Sequence, residues 1–536
     1  MTTVAEHLAD ALAAHGVTHV WGVVGDALNP VTDAIRRQDG LEWVGVRHEE
    51  AGAFAAGAQA QLTGRLGVCL GTVGPGSVHL LNGLYDAKKS HAPVLAVCGQ
   101  VPRADLGSDL FQEVDNQVLF ADVAEYVATV TDPAQLAHVL EQAGNAALSS
   151  GGVAVVTLPG DVGDLELPEG TPPTRWAQRP ALPTPAEEAL AAAATAIDAA
   201  SRVTMLVGVG ALDAREDVLA LGRRLGAPMV LSLKAKEGLE HDNELEVGQT
   251  GQLGNPAAAQ ALTECDLLLM VGTDFPYTDY LPHGTTTVQL DVRAAHVGRR
   301  TPVAHPVVGD AGAALRALLA RVEEKAGTAH LDRARSSYDG WREKQRALGE
   351  PGAAGDRVRP EVLAAAIDRH AAGDAVMTTD TGMATIWLSR HASMGARRRL
   401  LGSYNLGSMA NAMPQAIGAG ALDPDRQVVA WCGDGGLTML LGDLLTIAEQ
   451  GLPLKVVVFD NGRLGLVKIE QEEVDLPEHG TGLDNPDLAA VARAVGLHGV
   501  RVTRDDEVDA AVREAFAHPG PVLLDVLVDP EATAED

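Results

Sequence analysis

Two side chains in the C-terminal third have types and spacing suited to chemistry: Asp434, in Cys432-Gly433-Asp434-Gly435-Gly436, and Asn461, in Asp460-Asn461-Gly462. A carboxylate and an amide oxygen side by side suit a hard cation such as Mg2+, which takes few protein ligands and completes its shell with phosphate and water. The glycines let backbone approach a ligand closely, and a helix opening after them aims free N–H groups at an anion. Together these residues predict a Mg2+-diphosphate site. Other phosphate signatures fit less well. A dinucleotide fingerprint needs glycine where Thr438 stands, and a P-loop needs a Gly-Lys-Ser/Thr ending that is missing. The plain alternative is a glycine turn without a ligand. Near the other end of the chain, His48-Glu49-Glu50-Ala51 sets two acids at the start of an Ala-rich segment, which alone reads as helix capping through the dipole.

These side chains need strands and a crossover to position them. Residues 427–431 and 455–459 read as buried strands, and 437–450 as the helix between them, closed by Gly451. A right-handed crossover brings both strand ends to one edge of a sheet, so Asp434 and Asn461 are expected to converge. Apolar strands alternate with helices elsewhere too, with strands at 20–24, 68–70, 94–97 and 153–158, then at 203–207, 229–233, 267–271 and 287–292, and a helix at 311–325. The predicted fold is therefore α/β: three consecutive doubly wound parallel-sheet domains at 1–165, 187–330 and 361–536. Linkers are expected at 166–186 and at 331–360, the second beginning as a charged helix.

Composition narrows the function. A chain of 536 residues exceeds one core. A formal charge of -31 disfavours nucleic acid and anionic membrane surfaces as partners. Cys69, Cys98, Cys265 and Cys432 lie scattered in apolar strands without a CxxC pair, which predicts buried, reduced thiols and a cytoplasmic protein. The N-terminus reads as an amphipathic helix to Gly16 rather than a signal peptide, and no apolar run is long enough to span a bilayer.

Gly433-Asp434-Gly435 followed by Asn461 resembles the signature of thiamine-diphosphate (ThDP) enzymes. The resemblance implies that Asp434, Asn461 and the backbone carbonyl of Arg463 hold Mg2+, with Gly435, Gly436, Leu464, Gly465 and Leu466 beside the coenzyme. Asp460 departs from the usual Asn at its place and adds a negative charge. Gly402-Ser403-Tyr404-Asn405-Leu406-Gly407-Ser408-Met409-Ala410 is of the same type. It implies coenzyme contacts from Gly407, Ser408 and Met409, with Met409 wedging the coenzyme into its bent shape. His48-Glu49-Glu50-Ala51 resembles the segment whose first acid, here Glu49, bonds the aminopyrimidine ring. Glu50 is then structural, and His79, at the start of a helix, is expected to be structural too. Phe111-Gln112-Glu113 resembles the substrate-side loop, so Phe111 and Gln112 are expected to face the reacting carbon.

In the middle of the chain, Gly208, Gly210, Thr250, Gly251, Gln252, Leu253, Gly254, Asp274, Asp291 and Val292 sit at strand ends or in loops, where open α/β sheets bind ligands. As an ordered set they resemble the FAD-binding domain of ThDP-dependent pyruvate oxidases, and of the quinone-linked branch in particular. That family oxidatively decarboxylates pyruvate or a close 2-oxo acid, giving acetate and CO2 with electrons passed through FAD to a quinone, or acetyl phosphate with oxygen and phosphate. Its coenzyme bridges the first domain of one subunit and the third of another, which implies a homodimer or homotetramer. The rival enzyme reading is acetohydroxyacid synthase-like carboligation. Those enzymes usually follow the Asn turn with a Gln and a later Trp, and 461–471 has neither at those places. A non-catalytic scaffold is disfavoured because Glu49, Asp434 and Asn461 occur together. The quinone-linked enzymes also carry a C-terminal membrane-binding extension. Here the strand at 521–528 is followed only by a short acidic tail, and Leu466 replaces an aromatic.

Overall fold

The computed structural model describes residues 2–177, 182–352 and 357–534. The expected linkers at 166–186 and 331–360 thus include residues, 178–181 and 353–356, that lie outside the described ones, as do Met1 and the last two residues. The chain forms three six-stranded sheets, and their strands pair in parallel. The first contains β1 (His19–Gly22), β2 (Glu42–Gly45), β3 (Gly67–Gly71), β4 (Val94–Gln100), β5 (Ala124–Thr129) and β6 (Val153–Pro159), in the order β2-β1-β3-β4-β6-β5. The middle sheet contains β7 (Val203–Val207), β8 (Met229–Leu231), β9 (Glu246–Gln249), β10 (Leu267–Val271), β11 (Thr286–Asp291) and β12 (His305–Val308), ordered β12-β11-β10-β7-β8-β9. The third contains β13 (Val376–Thr379), β14 (Arg399–Gly402), β15 (Val428–Gly433), β16 (Lys455–Asp460), β17 (His498–Val502) and β18 (Val522–Leu527), ordered β14-β13-β15-β16-β18-β17. This is the predicted three-part α/β fold. The outer sheets share one order and the middle sheet has another.

Central strands such as β4, β6 and β10 are buried along their whole length because helices cover both faces, which is why they read as continuous apolar runs. The strands without a counterpart in the sequence pattern are the sheet margins β2, β5, β9, β12, β14 and β17, and β13 beside one of them. There one flank lacks a neighbour, and half-exposed patterns such as that of β2 carry no apolar run. The charged stretch after the middle domain is the helix Ala329–Leu348. Its Ala334, Tyr338 and Trp341 pack into the core beneath β7 to β10.

One apolar core joins the first and third domains. Its centre is the helix Glu49–Thr63, buried nearly all round, which lies against the helix Ala412–Leu422. Small residues allow this close approach: a Cβ on Gly418 would sit 2.4 Å from the carbonyl oxygen of Ala55. The single helix predicted over 437–450 is instead two short helices, Asp434–Met439 and Leu444–Glu449, separated by a 3-10 turn. The break has a tertiary cause. Asp443, 1 % exposed, turns inward, where its Oδ1 accepts the Arg47 N–H at 2.8 Å and the Thr446 hydroxyl at 2.8 Å. This bond ties the residue two before Glu49 to the third domain.

Candidate active site

The first of those helices starts at Asp434 itself, with Gly433 as N-cap, so Gly435 and Gly436 belong to its first turn. Packing leaves little room for a side chain at Gly436, and less strictly at Gly435, where the neighbours are flexible side-chain ends. A Cβ on Gly436 would lie 2.2 Å from Asp380 Oδ2, and one on Gly435 would lie 2.9 Å from Leu464 Cδ2 and 3.0 Å from Met409 Cε. Parallel pairing sets Gly433 of β15 beside Phe459 of β16, which brings the turns after both strands together. Asp434, 2 % exposed, accepts the Gly462 N–H (3.0 Å) and the Asn485 amide (2.7 Å) on Oδ2. The same Asn485 amide donates to Asp460 Oδ1 at 2.9 Å. Burial, followed by repulsion from Asp460, pushes the Asp434 carboxyl up to about 7. The turn is clamped from outside, with Leu464 N–H donating to Thr481 O at 2.8 Å and Leu483 N–H to Gly462 O at 2.7 Å.

Beside these groups lies a cavity of about 210 Å³. Its wall includes Gly407, Met409, Gly433, Asp434, Gly435, Gly436, Asn461, Arg463, Leu464, Gly465 and Leu466, together with Asp380, Gly382 and Met383. Ser408 is not part of the wall; its hydroxyl accepts from the Asn82 amide at 2.9 Å. Asp380 and Asn485 were not foreseen. Asp380 is 2 % exposed, accepts the Ala412 N–H on Oδ1 at 2.9 Å and has no partner for Oδ2, and burial raises its carboxyl to about 7. Asn485 carries no sequence signal, since one Asn in a Gly/Asp-rich loop resembles any turn residue. The donor set of Asp434 and Asn461, with Asp460 behind it, consists of hard oxygens, and two buried carboxylates sharing one amide proton donor lack positive charge. The site therefore fits Mg2+.

Glu49 opens the helix Glu49–Thr63 and is 7 % exposed. Its Oε2 lies 2.9 Å from His79 Nδ1, and its Oε1 lies 3.2 Å from where a Cβ on Gly76 would be. Glu50 accepts the Asn82 amide at 2.7 Å. The Gly74-Pro75-Gly76 turn links Glu49 to the 107–113 loop, because a Cβ on Gly74 would meet Gln112 O at 2.8 Å. Phe111, at the tip of that loop, is 82 % exposed. The loop is braced by Glu113, which accepts the Gly107 N–H at 2.5 Å and the Leu110 N–H at 3.2 Å. Glu49 does not line the cavity beside Asp434, whose described wall comes wholly from residues 360–532.

The middle-domain residues collect at the C-terminal edge of their sheet: Gly208 and Gly210 follow β7, Thr250 to Gly254 follow β9, Asp274 follows β10, Asp291 ends β11 and Val292 follows it. Gly208 and Gly210 press against Gly272 at the point where the strand order reverses, with the Gly210 N–H donating to Gly272 O at 3.0 Å. Asp274 is held by Arg299 (2.9 Å) and Arg300 (3.0 Å). Asp291 accepts the Arg293 N–H at 2.8 Å, and burial raises its carboxyl. Gln252 is exposed, whereas Leu253 O accepts the Ser389 hydroxyl at 3.4 Å. Ser389 belongs to the helix Met383–His391, whose first residue lines the cavity.

A cavity with Asp380 and Asp434 in its wall at the strand ends of one α/β domain, and a buried acid at the head of a helix in another with the same strand order, form an arrangement able to serve a diphosphate coenzyme. Residues 2–119 match the family profile described as thiamine pyrophosphate enzyme, N-terminal TPP binding domain; 190–318 match its central domain and 380–526 its C-terminal TPP binding domain. The chain belongs to the thiamine pyrophosphate enzyme family, a family of ThDP-dependent enzymes acting on 2-oxo acids. It is 37% identical over 531 residues to a putative thiamine pyrophosphate-containing protein, YdaP, of Bacillus subtilis, covering 99% of this chain and 92% of the relative. Pyruvate oxidase of Lactiplantibacillus plantarum is 32% identical over 526 residues, 96% of this chain and 87% of that protein. The acetolactate synthase large subunit of Parasynechococcus marenigrum is 34% identical over 545 residues, 97% of this chain and 86% of the relative. No helix among the described residues is long and apolar enough to cross a membrane.

Proposed function

We propose that this chain oxidatively decarboxylates pyruvate or a close 2-oxo acid to acetate and CO2, with ThDP, Mg2+ and FAD, passing electrons to a quinone or another acceptor. The observation that carries the reading is the convergence of Asp434, Asn461 and the Arg463 turn on one cavity at the ends of β15 and β16. Asp434, Asn461 and the carbonyl of Arg463 would hold the metal, and Met409 and Gly435 would shape the wall over the coenzyme. Bound ThDP would supply the carbon that takes the electron pair left as CO2 departs, and FAD a two-electron acceptor. Glu49 holds or delivers a proton at the coenzyme ring. As the family resemblance implies, Glu49 would act on a second copy's coenzyme, in keeping with a cavity wall that does not include it, and a homodimer would then be the smallest complete unit. Phe111 and Gln112 sit on the Glu49 side, where they would meet the 2-oxo acid. The strand-end residues of the middle sheet, from Gly208 to Val292, would cradle FAD.

Carboligation to acetolactate is the second reading, favoured by the synthase relatives. The segment 461–471, without Gln and Trp at the synthase positions, supports the oxidase. An absorbance spectrum of the purified protein, followed by anaerobic pyruvate, separates the two. Bleaching of a flavin band with acetate formation is the expected result. A colourless protein that makes acetolactate would overturn it.

A further inference from the structure

His79 has a geometry that its expected structural role leaves unexplained. The last residue of the short helix Pro75–His79, it reaches across to the start of another helix, placing Nδ1 2.9 Å from Glu49 Oε2. The two partners differ in access: the Glu49 side chain is 9% exposed and that of His79 43%. The ring is also oriented. It stacks on His48 with centroids 4.4 Å apart and planes at 25°. His48 is fixed in turn, because its Nδ1 accepts the Glu50 N–H at 3.2 Å as the helix N-cap. Glu50, the next residue along, is engaged by the Asn82 amide. Glu49 Oε1 points instead toward the Gly76 turn, leaving one oxygen for His79 and the other for a ligand.

We infer that His79 is a positioning residue acting through Glu49: it fixes the carboxyl plane and replenishes the proton that Glu49 delivers, drawing it from solvent. In the tautomer with Nδ1–H, the Oε1–H bond breaks as Glu49 passes a proton to the coenzyme ring nitrogen. The Nδ1–H bond then breaks and an Oε2–H bond forms, while water returns a proton to the imidazole at Nε2. One proton enters at the exposed edge for each that leaves at the buried end, and the reverse sequence resets the pair. Without His79 the buried carboxyl has no described side-chain partner through which to exchange protons.

The inference rests on the reading of Glu49 given above, and the test separates the two. Exchange of the thiazolium C2 proton for deuterium is followed by quenched NMR in the ThDP–Mg2+ holoprotein, alongside ThDP affinity and thermal melting. His79→Asn keeps a donor near the Nδ1 position but cannot relay, so exchange should slow about tenfold or more with affinity and melting unchanged. His79→Ala should show the same loss, restored by added imidazole. If the alanine variant fails to fold, the asparagine variant decides alone. A His79→Asn protein exchanging at the wild-type rate overturns the inference, as does a folded alanine variant that imidazole leaves slow. If Glu49→Gln itself exchanges at the wild-type rate, the Glu49 reading fails instead.

Discussion

Gly436→Ala tests the packing that sets Asp434 in place. The added methyl would lie 2.2 Å from Asp380 Oδ2, 2.7 Å from its Cγ and 3.1 Å from the Ala410 nitrogen. Ordinary carbon contacts are about 3.5 Å or longer, so more than 1 Å of relief is needed. Asp380 cannot give it freely. The residue is 2 % exposed and its Oδ1 is bonded to the Ala412 N–H. Turning the carboxyl away forfeits that bond, worth about 1–2 kcal/mol for a carboxyl that burial has raised to about 7, while shifting the helix instead costs about 1–3 kcal/mol of overpacking. We expect a loss of about 1–2 kcal/mol in urea unfolding of the apoprotein. Asp380→Ala removes the obstacle, so the double variant should be more stable than the two single losses predict by about 1–2 kcal/mol, the size of coupling between contacting residues. Gly433→Ala is the control, since a Cβ there meets nothing within 4 Å. Additive single and double losses, or a Gly436→Ala protein as stable as wild type, would refute this account of the turn.

Asp434→Ala should abolish Mg2+-dependent retention of ThDP, read by equilibrium dialysis with and without a chelator; unchanged coenzyme affinity counts against the ligand assignment. Glu49→Gln should slow turnover by about 10²–10⁴, or roughly 3–5 kcal/mol of barrier, at near-normal coenzyme affinity. Glu246, buried under the Tyr338 hydroxyl (3.0 Å), has its carboxyl raised to about 7 by burial and the neighbouring Glu240. A raised carboxyl stabilises the fold below its unfolded value, near 4.5, and the contribution is lost as pH climbs through about 7. Glu246→Gln, which keeps an acceptor for Tyr338, should therefore melt higher than wild type at pH 8, by a gain of order 1–3 kcal/mol, and no higher near pH 4.5. A gain that is equal at both pH values would contradict the burial argument.

The local half of this architecture could be read from sequence because it follows from local rules. Asp434 and Asn461 reach one cavity because β15 and β16 are neighbours joined by a crossover, and both the strand pattern and its handedness are visible in the residues. What could not be read depends on contacts distant in sequence. Asn485 reaches Asp434 from 51 residues away. Asp380 presses on Gly436 from the end of another strand, and the helix over 437–450 breaks because Asp443 bonds Arg47, 396 residues earlier. Edge strands such as β5 and β12 hid for a different reason, since half-exposed residues leave no apolar run. The two oxygens of Glu49 illustrate both limits. Its place at the head of a helix was legible, and its pairing with His79 was not.

The shared core between the outer domains bears on how the chain matures. The helix Glu49–Thr63 packs on β1, β3 and the helix Leu81–Lys89 within its own domain, but the face that meets the helix Ala412–Leu422 is covered only once that helix exists, so during synthesis at the usual pace this face stays bare for roughly 20–70 s. That interval, rather than the finished enzyme's stability, is where aggregation and chaperone capture have their opening.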